Sequence, residues 1–173
     1  MIELLWKALA WLLSREPIAD YLIRRSWRTP YTDIASAVDP ADVYMRRWWL
    51  FNPYDGHDTG GTYMARFKWC PISIRIHHIL RPDQDRHLHD HPWNARTIVL
   101  MGGYFEERPG RALHHRGKGA TASLRFGEFH RITSVDPKHG AVTLFITGKY
   151  RGTWGFQVDG RKVPYREYLS AKP

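Results

Sequence analysis

From residue 43 onward the apolar residues come in short strand-length runs, and turn residues interrupt them every few positions. Ile72, Ile74 and Ile76 are interleaved with Ser73, Arg75 and His77, the pattern of a strand with one buried face. Strands are expected over residues 43–51, 63–69, 72–80, 97–101, 103–107, 122–126, 128–133, 142–147 and 153–158. Between the first two, Asn52-Pro53-Tyr54-Asp55-Gly56 is turn chemistry, and Gly60-Gly61 lengthens the loop. Short strands at this spacing indicate an all-β sandwich or barrel. Eleven prolines and 14 glycines, spread along the chain, agree with many turns and few long helices.

The start of the chain has a different period. Residues 1–13 are nearly all apolar apart from Glu3 and Lys7, and read as a helix that Pro17 ends. A second, short helix is expected over 18–26 and a helical turn over 165–170. The first apolar run is too short to span a bilayer. It lacks the basic start and the small-residue cleavage site of a signal peptide. Ile2, Leu5, Trp6, Leu9, Leu12 and Leu13 follow helical spacing, while Leu4, Ala8 and Trp11 make the other side apolar too. Such a helix is expected to pack on the barrel or on a second copy, which favours a homodimer. The alternative is contact with a membrane surface through 1–13, helped by Arg24, Arg25 and Arg28.

At 173 residues the chain is expected to be one domain, with a helical segment over 1–28 and a β-barrel over 43–160. Its net charge of +9 suits an acidic small molecule, an anionic membrane or a nucleic acid. Basic residues occur only as pairs such as Arg24-Arg25 and Arg46-Arg47, so nucleic acid is not an expected partner. The single cysteine, Cys70, allows no disulfide within the chain and fits a reducing compartment. A cytoplasmic protein, membrane-peripheral if 1–13 meets a bilayer, is the expectation.

The strongest chemical signal is Asp85-Arg86-His87-Leu88-His89-Asp90-His91-Pro92-Trp93. On a strand, residues two apart point the same way, so His89 and His91 can reach one point. His130 belongs to a later strand that can lie beside them. Imidazole suits iron, zinc, copper and nickel. His87 shares the strand face of His89 and His91, and stands as an alternative to either. The adjacent pairs His77-His78 and His114-His115 diverge on a strand and are read as surface or loop.

His89-x-His91, a strand and then Gly103 resemble the first motif of the cupins, and His130 resembles the histidine of the second. Within the cupins, His89-Asp90-His91 followed by Gly103 and a strand reaching Glu106-Glu107 resembles the thiol dioxygenases, as does Phe129-His130-Arg131-Ile132. The likeness covers about residues 72–147. It implies a double-stranded β-helix, or jelly-roll, barrel with a mononuclear Fe(II) site on His89, His91 and His130. Other divalent metals (Zn, Ni, Mn, Cu) remain alternatives to Fe(II). Many cupins carry a glutamate shortly after the second histidine, where this chain has Arg96, so a three-histidine site is expected. The thiol dioxygenases' crosslinked cysteine has no counterpart here, and neither has their late Ser-His-Tyr set, the chain reading Thr143-Leu144-Phe145-Ile146-Thr147.

Arg96 and Tyr104 are the candidate catalytic residues, Arg96 as a fork for a substrate carboxylate or phosphate. Arg66 and Arg75 are further candidates for that role. Trp93, Tyr104, Phe105, Phe129, Phe145, Trp154 and Phe156 are candidates to wall a dry cavity. Asp90 is expected to point away and pair with an arginine, and Glu107 or Glu128 to orient a ligand imidazole. The function expected is an Fe(II) dioxygenase or other oxygenase acting on a small acidic or thiol-containing substrate. The alternatives are a non-catalytic cupin that binds an anionic ligand or nucleic acid, and a metal-independent isomerase or epimerase.

Overall fold

A computed structural model describes residues 1–36, 39–55 and 64–171. Two helices, α1 (Ile2–Leu13) and α2 (Glu16–Ser26), precede the strands. The strands are β1 (Pro30–Ala35), β2 (Val43–Phe51), β3 (Tyr54–Asp55), β4 (Met64–Ala65), β5 (Ser73–Ile79), β6 (Ala95–Arg108), β7 (Ala112–Gly117), β8 (Thr121–Leu124), β9 (Arg131–Val135), β10 (Ala141–Thr147), β11 (Gly155–Val158) and β12 (Arg161–Pro164). Helix α3 (Tyr165–Ser170) ends the described chain. Pro17 divides α1 from α2 by taking a first-turn position of α2, where its missing N–H costs nothing.

All ladders are antiparallel, and the main sheet runs β1-β2-β5-β10-β6-β7, with β8 and β9 also paired to β6. The path is open: among the described residues no ladder joins β1 to β7, so the closed jelly-roll barrel expected from the sequence is not drawn by hydrogen bonds. The two strands expected over 97–101 and 103–107 are one long strand, β6. Its first half pairs with β10 and β8, and its second half with β7 and β9. At the join, β10 partners Met101 with Val142 and then Val99 with Thr143, so Leu100 is an extra residue. Gly102 follows with φ 66°, and a Cβ there would meet Gly140 O at 2.0 Å. Only glycine fits that approach.

The strand expected over 63–69 is present only as Met64–Ala65, Tyr63 and Gly60-Gly61 lying outside the described residues. The chain after it turns around buried Asn52, whose Oδ1 accepts from Phe67 N (2.7 Å) and whose Nδ2 donates to Cys70 O (3.1 Å) and Ile72 O (2.9 Å).

The sheet's two faces have different roles. Ile76, Ile98, Leu100, Val142 and Leu144 pack under Ala10 of α1 and Ala19 of α2, with Trp6, Leu13, Leu22 and Ile23 at the margin. Met45, Ile79, Val99, Tyr104, Ile132 and Ala141 form a second cluster on the other face. The helical layer thus closes one side and leaves the opposite side for the histidines.

Candidate metal centre

His89 sits where three backbone segments meet. His89 N donates to His130 O (2.8 Å) and His130 N to His89 O (2.9 Å), a reciprocal antiparallel bridge. On its other side the same segment pairs with β11, through Asp90 N to Gly155 O (3.0 Å) and Gln157 N to Leu88 O (2.8 Å). The segment is a bridge between two neighbours rather than the free-standing strand its spacing suggests. The bridge still sends His89 and His91 toward one point.

His89, His91 and His130 each place one ring nitrogen within 4.8 Å of the other two. His91 Nε2 and His130 Nε2 are 3.0 Å apart. The ring centroids of His89 lie 5.2 Å from His91 and 4.9 Å from His130. Among the described residues these three are the cluster able to hold a metal ion.

Carboxylates stand behind two of the rings. His130 Nδ1 donates to Glu106 Oε1 at 3.0 Å, and Asp83 Oδ2 lies 3.8 Å from His89 Nδ1. Glu106 is buried, and Arg116 (2.9 Å) and Arg108 (3.0 Å) also donate to it. Burial pushes its carboxyl up, but the hydrogen bond and charge of His130, with Arg108, outweigh this and hold it at about 2. An ionised carboxylate only accepts, so His130 turns a protonated Nδ1 to Glu106, which leaves its Nε2 facing His91. Burial lowers His89 to about 4, opposed by Asp83 and assisted by His130. Burial, followed by His130 and His89, holds His91 well below the ordinary histidine value. Near neutral pH the rings of His89 and His91 are therefore unprotonated at one nitrogen each, as metal ligands must be. The three imidazoles fit a divalent ion.

Aromatic rings surround the cluster. Trp93 (5.8 Å) and Phe145 (6.0 Å) flank His91, and Phe156 (6.1 Å) and Trp154 (6.3 Å) flank His89. Beyond Trp93, the guanidinium of buried Arg75 lies 5.0 Å from that ring and 4.5 Å from Trp49. The other early-strand candidate, Arg66, is exposed.

Other expected residues are placed differently. Arg96 shares with Ile98 the face of β6 that is turned away from the histidines, and faces α1. Its guanidinium donates to Glu3 (2.6 Å) and lies 4.7 Å over Trp6. The structure brings it neither to the histidines nor to solvent. Tyr104 is buried in the second core cluster, two residues before Glu106 on the same face, and burial raises its hydroxyl pKa. His87 turns aside to Tyr168 Oη (2.8 Å), leaving the cluster to His89 and His91. Phe105 lies outside, against His115.

Two expectations for supporting groups are corrected. Glu106, not Glu107 or Glu128, orients His130; Glu107 binds Arg131 and Glu128 binds Arg108. Asp90 does point away and is wholly buried, but its partner is Lys162 (2.5 Å), with Gly155 N–H as a second donor (2.7 Å). His77 is a third correction. It is buried on β5, stacked on Phe145 at 4.8 Å, rather than lying on the surface. The strand alternation that places Arg75 and Ile79 inside carries His77 with them.

No protein-family model matches the chain, and no curated protein matches its sequence. Solved structures do resemble it. The DMSP lyase DddQ from Ruegeria pomeroyi DSS-3 superimposes with a TM-score of 0.53 at 16% identity, over 87% of this chain and 68% of the lyase. A structure from a study of the DMSP lyases RdDddP and RnDddQII gives 0.53 at 15% identity, over 79% and 69%. A cupin-2 domain protein from Rhodospirillum rubrum gives 0.49 at 11% identity, over 80% and 78%. At such identities the likeness is one of fold, and the chain has the antiparallel β architecture of the two lyase structures, with a helical layer at its N-terminus.

Proposed function

We propose that the protein is a mononuclear metal-dependent cupin enzyme, with His89, His91 and His130 as the metal ligands and a small anionic compound as substrate. The observation that carries this reading is the convergence of three imidazoles, two with a carboxylate nearby, inside a wall of aromatic rings. Ferrous iron, the ion favoured by the resemblance of the His89-Asp90-His91 and His130 motifs, would supply redox chemistry toward dioxygen. The chain's own residues do the rest. Glu106 fixes the ring orientation of His130 by its hydrogen bond, and Asp83 sets a negative charge beside His89. Trp93, Phe145, Trp154 and Phe156 exclude water. Arg75, one ring away from His91, supplies positive charge for a carboxylate in a setting where water does little to screen it.

A second reading is metal-assisted elimination from a small acid, favoured by the fold shared with the DMSP lyases. Oxygen dependence separates the two. Protein loaded anaerobically with Fe(II) is screened against small carboxylates and thiols in an oxygen electrode. Substrate-dependent oxygen uptake that Arg75→Met weakens through KM supports the oxygenase. Turnover without oxygen, equally fast with Zn(II) or Mn(II), supports elimination and overturns the oxygenase.

A further inference from the structure

Helix α1 turns its apolar residues two ways. Ala10 is fully buried against the sheet, and Trp6 and Leu13 are partly so. The opposite half of the helix is also apolar and is exposed: Ile2 by 68%, Leu4 by 69%, Leu5 by 65%, Trp11 by 59% and Leu12 by 45%. At 100° per residue, Trp11, Leu4, Ala8, Leu12, Leu5, Leu9 and Ile2 sweep about half of the helix circumference without a charge. An apolar face of that width is rarely left to water.

Charge decides what fits against it. Helix α2 lies beside α1 on the same side of the sheet. The stretch from α1 to the residues after α2 exposes Lys7, Arg15, Arg24, Arg25 and Arg28, with Tyr21 and Trp27. Against these cations stand Glu16 and Asp20, because Glu3 is held by Arg96. The Arg15 guanidinium stacks over the exposed Trp11 ring at 3.8 Å, placing a cation at the rim of the apolar face. A second copy docked face to face would bring these arginines toward their own equivalents, which costs specificity and affinity. A bilayer with anionic headgroups meets both properties at once: acyl chains for the leucines, lipid phosphates for the arginines, and the interfacial zone for Trp11, Trp27 and Tyr21.

We infer that the α1–α2 layer is a docking surface for an anionic lipid bilayer, holding the protein on the membrane plane without crossing it. No helix among the described residues is long and apolar enough to span a membrane. The histidine cluster lies on the opposite face of the sheet, so docking leaves it free. This inference stands apart from the proposed chemistry.

The test is flotation of the full chain with vesicles of phosphatidylcholine alone and with phosphatidylglycerol added, together with light scattering of the protein without lipid. The expected result is flotation with the phosphatidylglycerol vesicles, weakening as salt rises, and a monomer without lipid. Leu5→Glu with Leu12→Glu is expected to lower partitioning about tenfold or more, since each charge must enter the interface. Arg24→Glu with Arg25→Glu is expected to remove the preference for anionic lipid. All four side chains are exposed, and an unchanged circular dichroism spectrum confirms that these variants fold. Wild-type protein that stays with the aqueous phase overturns the inference. So does a dimer that Leu5→Glu with Leu12→Glu dissolves, which would seat a second copy on this face.

Discussion

Glu106 Oε1 accepts the hydrogen bond of His130 Nδ1 at 3.0 Å, and this contact selects the tautomer that turns His130 Nε2 toward His91. Replacing Glu106 by Gln keeps the shape but removes the charge. Metal affinity, read by competition with a chromogenic chelator, is expected to fall about 10- to 100-fold. An unchanged affinity would show that the Arg108 and Arg116 pairs, not the imidazole, are what Glu106 serves.

The largely desolvated rings of His89 and His91 make the metal-free protein acid-sensitive. His89 is lowered from 6.5 to about 4 and His91 also lies well below 6.5, in both cases chiefly by burial. Between the folded and unfolded values the unfolded chain binds more protons, so stability is full above 6.5 and is lost as pH falls toward 4. The slope approaches roughly 1.4 kcal/mol per pH unit for each histidine. Urea unfolding of metal-free protein across this range measures it. A curve that is flat from about pH 7 to 5 would contradict the burial of these rings.

Asp90 lies between two of the proposed ligands and is wholly buried with Lys162 as its ion-pair partner. Lys162→Met strands that carboxylate, and a loss of about 3–5 kcal/mol in unfolding free energy is expected. Metal affinity should fall with it, because Asp90 ties the histidine segment to Gly155 of β11. A loss under about 1 kcal/mol would mean that Asp90 finds another partner or protonates without harm.

Much of this was legible in the sequence, and the exceptions have physical causes. Strands β2, β5 and β10 follow the expected ranges closely: they are inner strands of the main sheet, and β5 and β10 are buried on both faces, so runs of apolar residues mark them. Strands β1, β7 and β12 were missed because they are mostly exposed, leaving no alternation to read. The histidine trio was readable from its i, i+2 spacing and its likeness to known motifs. Its carboxylate was not. Alternation counted from Val99 puts Glu107 inside, but the extra residue at Leu100 shifts the count and turns Tyr104 and Glu106 inward instead. A bulge of that kind leaves only Gly102-Gly103 as its trace. Arg96 was ambiguous for the opposite reason: the alternation places it on the outer face, and no local signal announces that Glu3, far away in the chain, covers it.

The account rests on one divalent metal held by His89, His91 and His130, and the metal content of purified protein by mass spectrometry tests it most directly. After anaerobic loading with Fe(II) and removal of excess, about one ion per chain is expected in the wild type, and close to none in His89→Ala, His91→Ala or His130→Ala, with folding retained by circular dichroism. Full stoichiometry in the His130→Ala variant, or no metal in the wild type under any loading, would contradict it.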